Sequence, residues 1–261
     1  MKYNVLRDYR GFLEHLKNIR PETARTYTNR LENLLQGQDL FETVEKLDMN
    51  KILNRLSDIK YKNHFSQSKN ALLYFLQFQN ISLSEEQQQK LHELEQKTKK
   101  KYRKLKAVDY KDVQKNLNQL KNEKLKLSYK TMIQTGLRVS ELSQIKKEDC
   151  KVSHDSITIS FTGKGGNKES ITIQKVEDSE FFKSLKEHIS RVRKDKTIFY
   201  SANYLQSKAF ESIGCRCHDL RRISAKLEYK KTKSKEDVQK KLRHTSTKTT
   251  NLYLKSKVRG I

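Results

Sequence analysis

Apolar residues recur at three- and four-residue spacing through the first 95 residues, which is the pattern of amphipathic helices. Pro21 is expected to open the second helix, because proline is favoured in a first turn. Asp48 is expected to cap a third helix. Residues 66–78 predict a fourth helix, and residues 85–104 predict a charged, exposed fifth. The stripes assigned to the core are Tyr9, Phe12, Leu13 and Leu16; Tyr27, Leu31, Leu34 and Leu35; and Ile52, Leu53 and Leu56.

The rest of the chain begins as helix and then changes period. Residues 156–161 read Ser-Ile-Thr-Ile-Ser-Phe, an alternation typical of a strand, and residues 170–173 repeat it. The Gly-rich turn 163–167 between them predicts a β-hairpin. Helices are expected again from Ser179 onward. The chain is therefore predicted to be mainly α with a small β-hairpin or sheet.

Composition excludes several classes of protein. The chain has 261 residues with one Pro and eight Gly, which disfavours collagen-like, Pro-rich and loop-dominated all-β folds. Its apolar runs fall far short of the ~20 residues that a membrane span needs. The first residues carry no apolar leader, and three Cys cannot pair evenly. A reducing cytoplasm is therefore the expected compartment.

Charge divides the chain into two parts. Residues 1–95 carry 14 Lys and Arg against 13 Asp and Glu, whereas residues 96–261 carry 42 against 18. Residues 97–106 contain seven cations and no anion, and form either a solvated linker or a strap across a phosphate backbone. We expect a helical domain at 1–96, a basic linker at 97–106, a second domain at 107–261, and a polyanionic partner.

Two familiar kinds of site are disfavoured by the residues present. The turn at residues 163–166 is rich in glycine but lacks the GxxxxGK[ST] pattern of a phosphate-binding loop. Residues 215–218 read Cys-Arg-Cys-His, which is a weak zinc signal without a second cluster. No metal or other cofactor is expected.

Four short strings deserve to be considered together. Arg138 and Glu141 stand three apart in the string Thr-Gly-Leu-Arg-Val-Ser-Glu-Leu, so they can share a helical face. His218 and Arg221 have the same spacing in His-Asp-Leu-Arg. His244 and Tyr253 are nine apart, about 180° around one helix. The helix must therefore break between them if both serve one site. The fourth string is the hairpin turn, which contains Lys164.

In their order along the chain (the Arg138 string, the hairpin turn, the His218 string and the His244–Tyr253 string), the four strings resemble the motifs of the tyrosine site-specific recombinases, the family of phage integrases and Xer-type enzymes. The motifs extend over residues 135–253, and the helical first part is similar to the family's core-binding domain. Three departures stand out. An extra Gly in the turn leaves Lys168 as an alternative to Lys164, Arg222 replaces a common second His, and Arg243 replaces the usual Gly.

The resemblance implies a helical core-binding domain and an α+β catalytic domain that form a C-shaped clamp on DNA. It implies covalent catalysis, because a phosphotyrosine preserves the energy of the broken phosphodiester without ATP or metal. Guanidinium groups match phosphate bidentately and stabilise the charge of the transition state. The implied roles are Tyr253 as nucleophile, Arg138 and Arg221 as phosphate ligands, Lys164 as acid for the leaving oxygen, His218 and His244 in proton handling, and Glu141 in support.

Double-stranded DNA with paired recombination sites is the implied partner, bound by a homotetramer in the bacterial nucleoid, away from membranes. Integration or excision of a mobile element and resolution of DNA dimers are both compatible with the motifs. The alternatives are a telomere resolvase, a type IB topoisomerase-like enzyme, a catalytically idle DNA-binding protein of the same fold and, more remotely, an RNA-binding protein. Candidate DNA contacts are Arg25, Arg30, Lys62, Lys69, Lys99, Lys100, Lys101, Arg103 and Lys104.

Overall fold

A computed structural model describes residues 5–19, 21–38, 47–99, 107–163 and 166–261 of the chain. The chain divides into two units, residues 1–103 and residues 104–261. The helices of the first unit are α1 (Val5–Ile19), α2 (Pro21–Leu35), α3 (Met49–Ser57), α4 (Lys62–Phe78) and α5 (Glu85–Lys97). Among the described residues, no helix combines the length and the hydropathy that a bilayer span requires.

The first unit is built around the apolar stripes that the sequence predicts. Phe12 and Phe75 meet edge to face in its centre, with ring centroids 5.5 Å apart, and both are fully buried. The predicted cap of α3 is confirmed, since the Asp48 carboxylate accepts the backbone N–H of Lys51 at 3.1 Å. Each helix therefore buries one face against its neighbours in a single core.

The fifth helix is shorter than the predicted range of 85–104, and that prediction was wrong at its end. The helix ends at Lys97, and Thr98 is extended, with its hydroxyl donating to the carbonyl of Glu95 at 2.7 Å. Lys99 then forms a parallel bridge with Tyr61. Backbone bonds to a neighbouring segment have replaced the next helical turn. Residues 100–104 lie outside the described residues.

The second unit combines helices with two small sheets. Its helices are α6 (Tyr110–Gln119), α7 (Glu123–Thr135), α8 (Val139–Leu142), α9 (Ser179–Arg191), α10 (Ala202–Ile213), α11 (Cys217–Thr232), α12 (Lys235–Leu242) and α13 (Thr247–Leu254). Its strands are β1 (Val108–Asp109), β2 (Cys150–Val152), β3 (Ser156–Thr162), β4 (Lys168–Gln174) and β5 (Val258–Arg259). The mainly helical fold with a small sheet confirms the predicted fold class.

The predicted hairpin is confirmed as β3 and β4, which pair antiparallel from Ser156 opposite Gln174 to Thr162 opposite Lys168. The sequence pattern did not predict β2, which adds a third strand on the other side of β3. It also missed the parallel pairing of β1 with β5, in which Val108 lies opposite Val258. That pairing joins the two ends of the second unit.

Gly136 ends α7 in the left-handed conformation, with φ of 65°. A Cβ at this position would lie 2.6 Å from the Leu242 side chain. We expect Gly136→Ala to lower the free energy of unfolding by about 2–4 kcal/mol, through left-handed strain plus overpacking. Gly214→Ala is the matched control, because Gly214 caps α10 at φ of 73° with only an ordinary contact at 3.5 Å.

Urea unfolding of the two variants measures the difference. The control is expected to lose only the strain, about 1 kcal/mol. Equal losses in the two variants would contradict the crowding at Gly136.

Candidate active site

Three aromatic side chains meet where α11 begins and α13 ends. The Tyr253 hydroxyl lies 3.1 Å from Nε2 of His218. The Tyr253 ring also packs edge to face on both histidines, with centroids 5.3 Å from His218 and 4.7 Å from His244. A phenol is therefore held against an imidazole that can take its proton.

The chain breaks its helix between His244 and Tyr253, as the spacing of the two residues predicts. The last residue of α12 is Leu242, and α13 begins only at Thr247. Ser246 caps the new helix, its hydroxyl accepting the N–H of Lys248 at 3.2 Å. Without this break the two rings would point to opposite sides of one helix.

His244 is a buried histidine with a defined partner. Only 8% of it is exposed, and its Nδ1 lies 3.0 Å from the Thr250 hydroxyl. Burial, followed by the positive charges of Arg221 and Arg138, lowers the pKa of His244 to about 4. Desolvation and the charge of Arg222 also lower the pKa of His218, although that residue lies at the surface. Both rings are thus neutral at pH 7.

Acid is expected to destabilise the fold through His244. Its pKa is about 4 in the folded chain and 6.5 ordinarily, so the unfolded chain binds more protons between these values. The contribution of His244 to the free energy of unfolding is therefore fully present above pH 6.5. It decreases as the pH falls toward 4, by at most about 1.4 kcal/mol per pH unit.

His244→Gln cannot take up this proton, so we expect its denaturant midpoint to change less between pH 6.5 and 4 than that of the native chain. The exposed His154 provides the control variant His154→Gln, which should keep the native slope. A native slope in His244→Gln would contradict the assignment.

Arg138, which immediately precedes the short helix α8, forms an ion pair with Glu141 of that helix. The Glu141 carboxylate accepts the backbone N–H of Arg138 at 2.7 Å and its guanidinium at 2.5 Å. Glu141 is 4% exposed, which raises its pKa, but the hydrogen bonds and charge of Arg138 outweigh burial and leave the pKa below its ordinary value. Glu141 is thus an ionised carboxylate that fixes an arginine beside the site.

Among the residues that the structure describes, Arg221 is the largest fully buried side chain, with 1% exposed. Its two terminal nitrogens donate to the carbonyls of Gly136 and Leu242, which are the ends of α7 and α12. Burial, followed by the charge of Arg138, lowers the pKa of Arg221 to about 10, so it remains charged at pH 7. Its Nε has no hydrogen-bond partner among the described residues.

The structure adds Arg243 to the predicted residues. Its guanidinium lies 3.3 Å from the Glu141 carboxylate and 3.0 Å from that of Glu169 on β4. The motif identified Arg243 only as a replacement for the usual glycine and did not predict its ion pairs. Its partners stand far away in the sequence, so no local pattern could identify the pairs.

Of the two candidate lysines of the hairpin, the structure describes only Lys168. Lys164 lies outside the described residues. Lys168, the alternative, begins β4 and is exposed. It neighbours Glu169, whose carboxylate faces Arg243, and successive strand residues point to opposite faces of a sheet. Lys168 therefore starts from the face turned away from Arg243.

The candidate DNA contacts between Arg25 and Lys104 differ in their surroundings. Arg25 and Lys99 are exposed. Arg30 donates to the side chain of Gln67 at 3.2 Å. Lys62, at 3.8 Å, and Lys69 both pair with Glu95. The four remaining candidates, Lys100, Lys101, Arg103 and Lys104, lie outside the described residues.

The cysteines near the site are packed as apolar side chains. Burial raises the pKa of Cys215 to about 12 and that of Cys217 to about 11, so both are thiols at pH 7. Within the described part of the chain, no group of three or more His, Cys, Asp or Glu side chains is placed to hold a metal ion.

Solved structures of three recombinases are similar to this chain. XerH bound to its difH substrate is 18% identical, with a TM-score of 0.62 over 92% of this chain and 79% of that one. A lambda integrase tetramer on a Holliday junction is 16% identical, with a TM-score of 0.65 over 97% and 77%. The Tn1549 transposon integrase with transposon right-end DNA is 13% identical, with a TM-score of 0.62 over 97% and 95%. The fold is therefore that of tyrosine recombinases.

A family model described as the phage integrase family matches residues 103–259. The chain therefore belongs to the phage integrase family, the tyrosine site-specific recombinases. A comparison with curated proteins finds no significant match.

Proposed function

We propose that this chain is a site-specific recombinase that cleaves and rejoins duplex DNA through a 3′-phosphotyrosine intermediate. The observation that carries the proposal is the Tyr253 hydroxyl 3.1 Å from His218 Nε2, in one unit with Arg138 and Arg221. All of these groups belong to one chain, so each subunit has its own nucleophile.

Cleavage begins when the Tyr253 oxygen attacks the scissile phosphorus and gives its proton to neutral His218. A bond forms between the tyrosine oxygen and phosphorus, and the bond from phosphorus to the 5′-oxygen breaks. The leaving oxygen takes a proton and departs as a 5′-hydroxyl. Attack by a 5′-hydroxyl on the phosphotyrosine reverses these steps and reseals a strand.

The charges around Tyr253 suit this reaction. Arg138 and Arg221 bind the non-bridging oxygens, and a guanidinium has five N–H donors. Arg221 uses two of its groups on backbone carbonyls, and its buried Nε has no hydrogen-bond partner among the described residues. Glu141 orients Arg138, His244 supports the phosphate, and Lys164 protonates the leaving oxygen. These cations supply the stabilisation that metal ions give other nucleases, so neither metal nor ATP is required.

Duplex DNA is the proposed partner of both units. Residues 96–261 carry 42 Lys and Arg against 18 Asp and Glu, which favours a phosphate backbone. Strand exchange requires four active sites on two duplexes, so we include a homotetramer on paired sites in the proposal. The fold is shared with a lambda integrase tetramer on a Holliday junction, which supports that arrangement. The protein then acts in the bacterial nucleoid, in element integration or excision or in dimer resolution.

Covalent trapping tests the proposal. Nicked duplexes tiled across the DNA that flanks the gene are mixed with the protein, and a denaturing gel detects a protein–DNA adduct. We expect an adduct on one duplex, with the nucleotide attached to the peptide that contains Tyr253. Specific binding without an adduct would favour the idle DNA-binding protein. Relaxation of supercoiled DNA that lacks any site would favour the topoisomerase.

A further inference from the structure

Arg243 occupies a backbone conformation that does not suit a side chain with a Cβ. It follows the last residue of α12 with φ of 51° and ψ of 48°, which is the left-handed region. Glycine is favoured at such a helix end and is usual in the motif that this chain resembles. The arginine therefore occupies this helix end at a conformational disadvantage relative to glycine.

The contacts of Arg243 connect it to the catalytic cluster on one side. Its Nη2 lies 3.3 Å from Oε2 of Glu141, whose other oxygen holds Arg138. The Arg243 side chain is only 16% exposed, so the pair is weakly screened by solvent. The residue immediately after it is His244. Arg243 is thus fixed to the carboxylate that orients Arg138.

On the other side Arg243 contacts the turn end of the β3–β4 hairpin. Its Nε lies 3.0 Å from the Glu169 carboxylate, and its Cζ lies 4.9 Å from the centre of the Phe161 ring. Phe161 and Glu169 are directly opposite each other in the ladder and so share one face of the hairpin. The Glu169 carboxylate also lies against Gly163, where a Cβ would clash with it.

We propose that Arg243 is a positioning residue that fixes the hairpin against the catalytic cluster, so that the hairpin delivers its general acid to the leaving 5′-oxygen. The contacts of Arg243 with Glu141 and Glu169 are called the tether. The inference rests on the proposed function for its chemistry, but the tether itself does not. It replaces the flexible glycine of the motif by a two-sided bridge between Glu141 and Glu169.

The tether is tested first without any DNA. Hydrogen exchange, read by mass spectrometry, compares Arg243→Gly with the native chain. We expect amides of residues 157–163 and 167–173 to exchange about 10-fold faster in the variant, because local opening of the hairpin is easier. Lys233→Gly is the matched control. Lys233 also caps a helix in the left-handed conformation, at φ of 56°, and is exposed. Unchanged hairpin exchange in Arg243→Gly would overturn the tether.

The catalytic consequence is tested with two leaving groups. On a normal phosphodiester, Arg243→Gly is expected to form the adduct about 10- to 100-fold more slowly, because a misplaced acid protonates poorly. A 5′-bridging phosphorothiolate releases a thiolate that needs no proton, so the variant should cleave it at the native rate. Glu169→Gln should give the same pair of results, and the double variant should be no slower than either single one.

The outcomes separate the tether from the proposed function. Equal losses on both substrates would overturn the positioning role, since a merely structural defect does not distinguish leaving groups. Independent, multiplying losses in the double variant would overturn the Arg243–Glu169 connection. If the native chain forms no adduct on any duplex, the proposed function fails, and the exchange experiment still decides the tether.

Discussion

Tyr253→Phe is expected to abolish the covalent adduct while leaving DNA binding unchanged. The substitution removes one oxygen, and with it the only nucleophile in the proposed reaction, so adduct formation should fall more than about 10⁴-fold. Among the described residues the hydroxyl makes one hydrogen bond, to His218 at 3.1 Å, and its loss lowers the free energy of unfolding by no more than about 1.5 kcal/mol. The ring contacts with His218 and His244 remain.

A matched control removes a different tyrosine hydroxyl from the same cluster and leaves the proposed nucleophile in place. Tyr229 lies on α11 and packs against the same small cluster of apolar side chains as Tyr253. Tyr229→Phe should therefore keep both DNA binding and the adduct. Gel-shift titration measures binding, and a denaturing gel measures the adduct on the same duplex. An adduct that persists in Tyr253→Phe would place the nucleophile elsewhere.

The helices were predictable because each one carries its own signal. Phe12 and Leu16 repeat at helical spacing and are fully buried, and Asp48 and Gly136 stand at helix ends whose geometry they suit. The hairpin was predictable for the same reason, since seven residues of β3 alternate between its two faces. Such signals are local, so they can be recognised in the sequence without knowledge of the fold.

The missed elements carry no such signal. Strands β1 and β5 contain two residues each, and β2 contains three, too few to display an alternation. The pairing of β1 with β5 depends on two ends of the second unit that only the fold brings together. The end of α5 was misplaced for a related reason. Lys99 leaves the helix to bond with the backbone near Tyr61, a partner that periodicity cannot reveal.

The site shows the same division. Arg138 and Glu141 stand three apart, so their ion pair could be anticipated from spacing alone. The break between His244 and Tyr253 followed from helical geometry. By contrast, the Arg243–Glu141 pair joins residues 102 positions apart, and nothing in the sequence connects them. Motifs thus predicted the groups that we propose to react, whereas the contacts of Arg243 required coordinates.

Arg221→Lys is expected to combine a loss of stability with a loss of catalysis. The guanidinium donates to the carbonyls of Gly136 and Leu242 at once and joins the ends of α7 and α12. A single ammonium on a flexible stem cannot reproduce this fork. With only 1% of the side chain exposed, the carbonyl left unpaired lowers the free energy of unfolding by about 1–3 kcal/mol.

The catalytic loss should be larger than the loss of stability implies. Removing one preorganised charge donor at the scissile phosphate is expected to slow adduct formation by about 10²- to 10³-fold, measured well below the unfolding temperature. Arg191→Lys is the control for the change of residue type. Arg191 is 73% exposed in an ion pair with Glu187, so the control should keep native stability and rate.

A neutral substrate then distinguishes charge stabilisation at the phosphate from a distorted site. A methylphosphonate lacks one negative oxygen at the scissile position, so a variant without the Arg221 guanidinium should lose less on it than on the phosphodiester. A distorted site would slow both substrates equally. Equal losses in Arg221→Lys would therefore restrict Arg221 to joining Gly136 and Leu242, and would leave Arg138 as the remaining proposed arginine ligand of the phosphate.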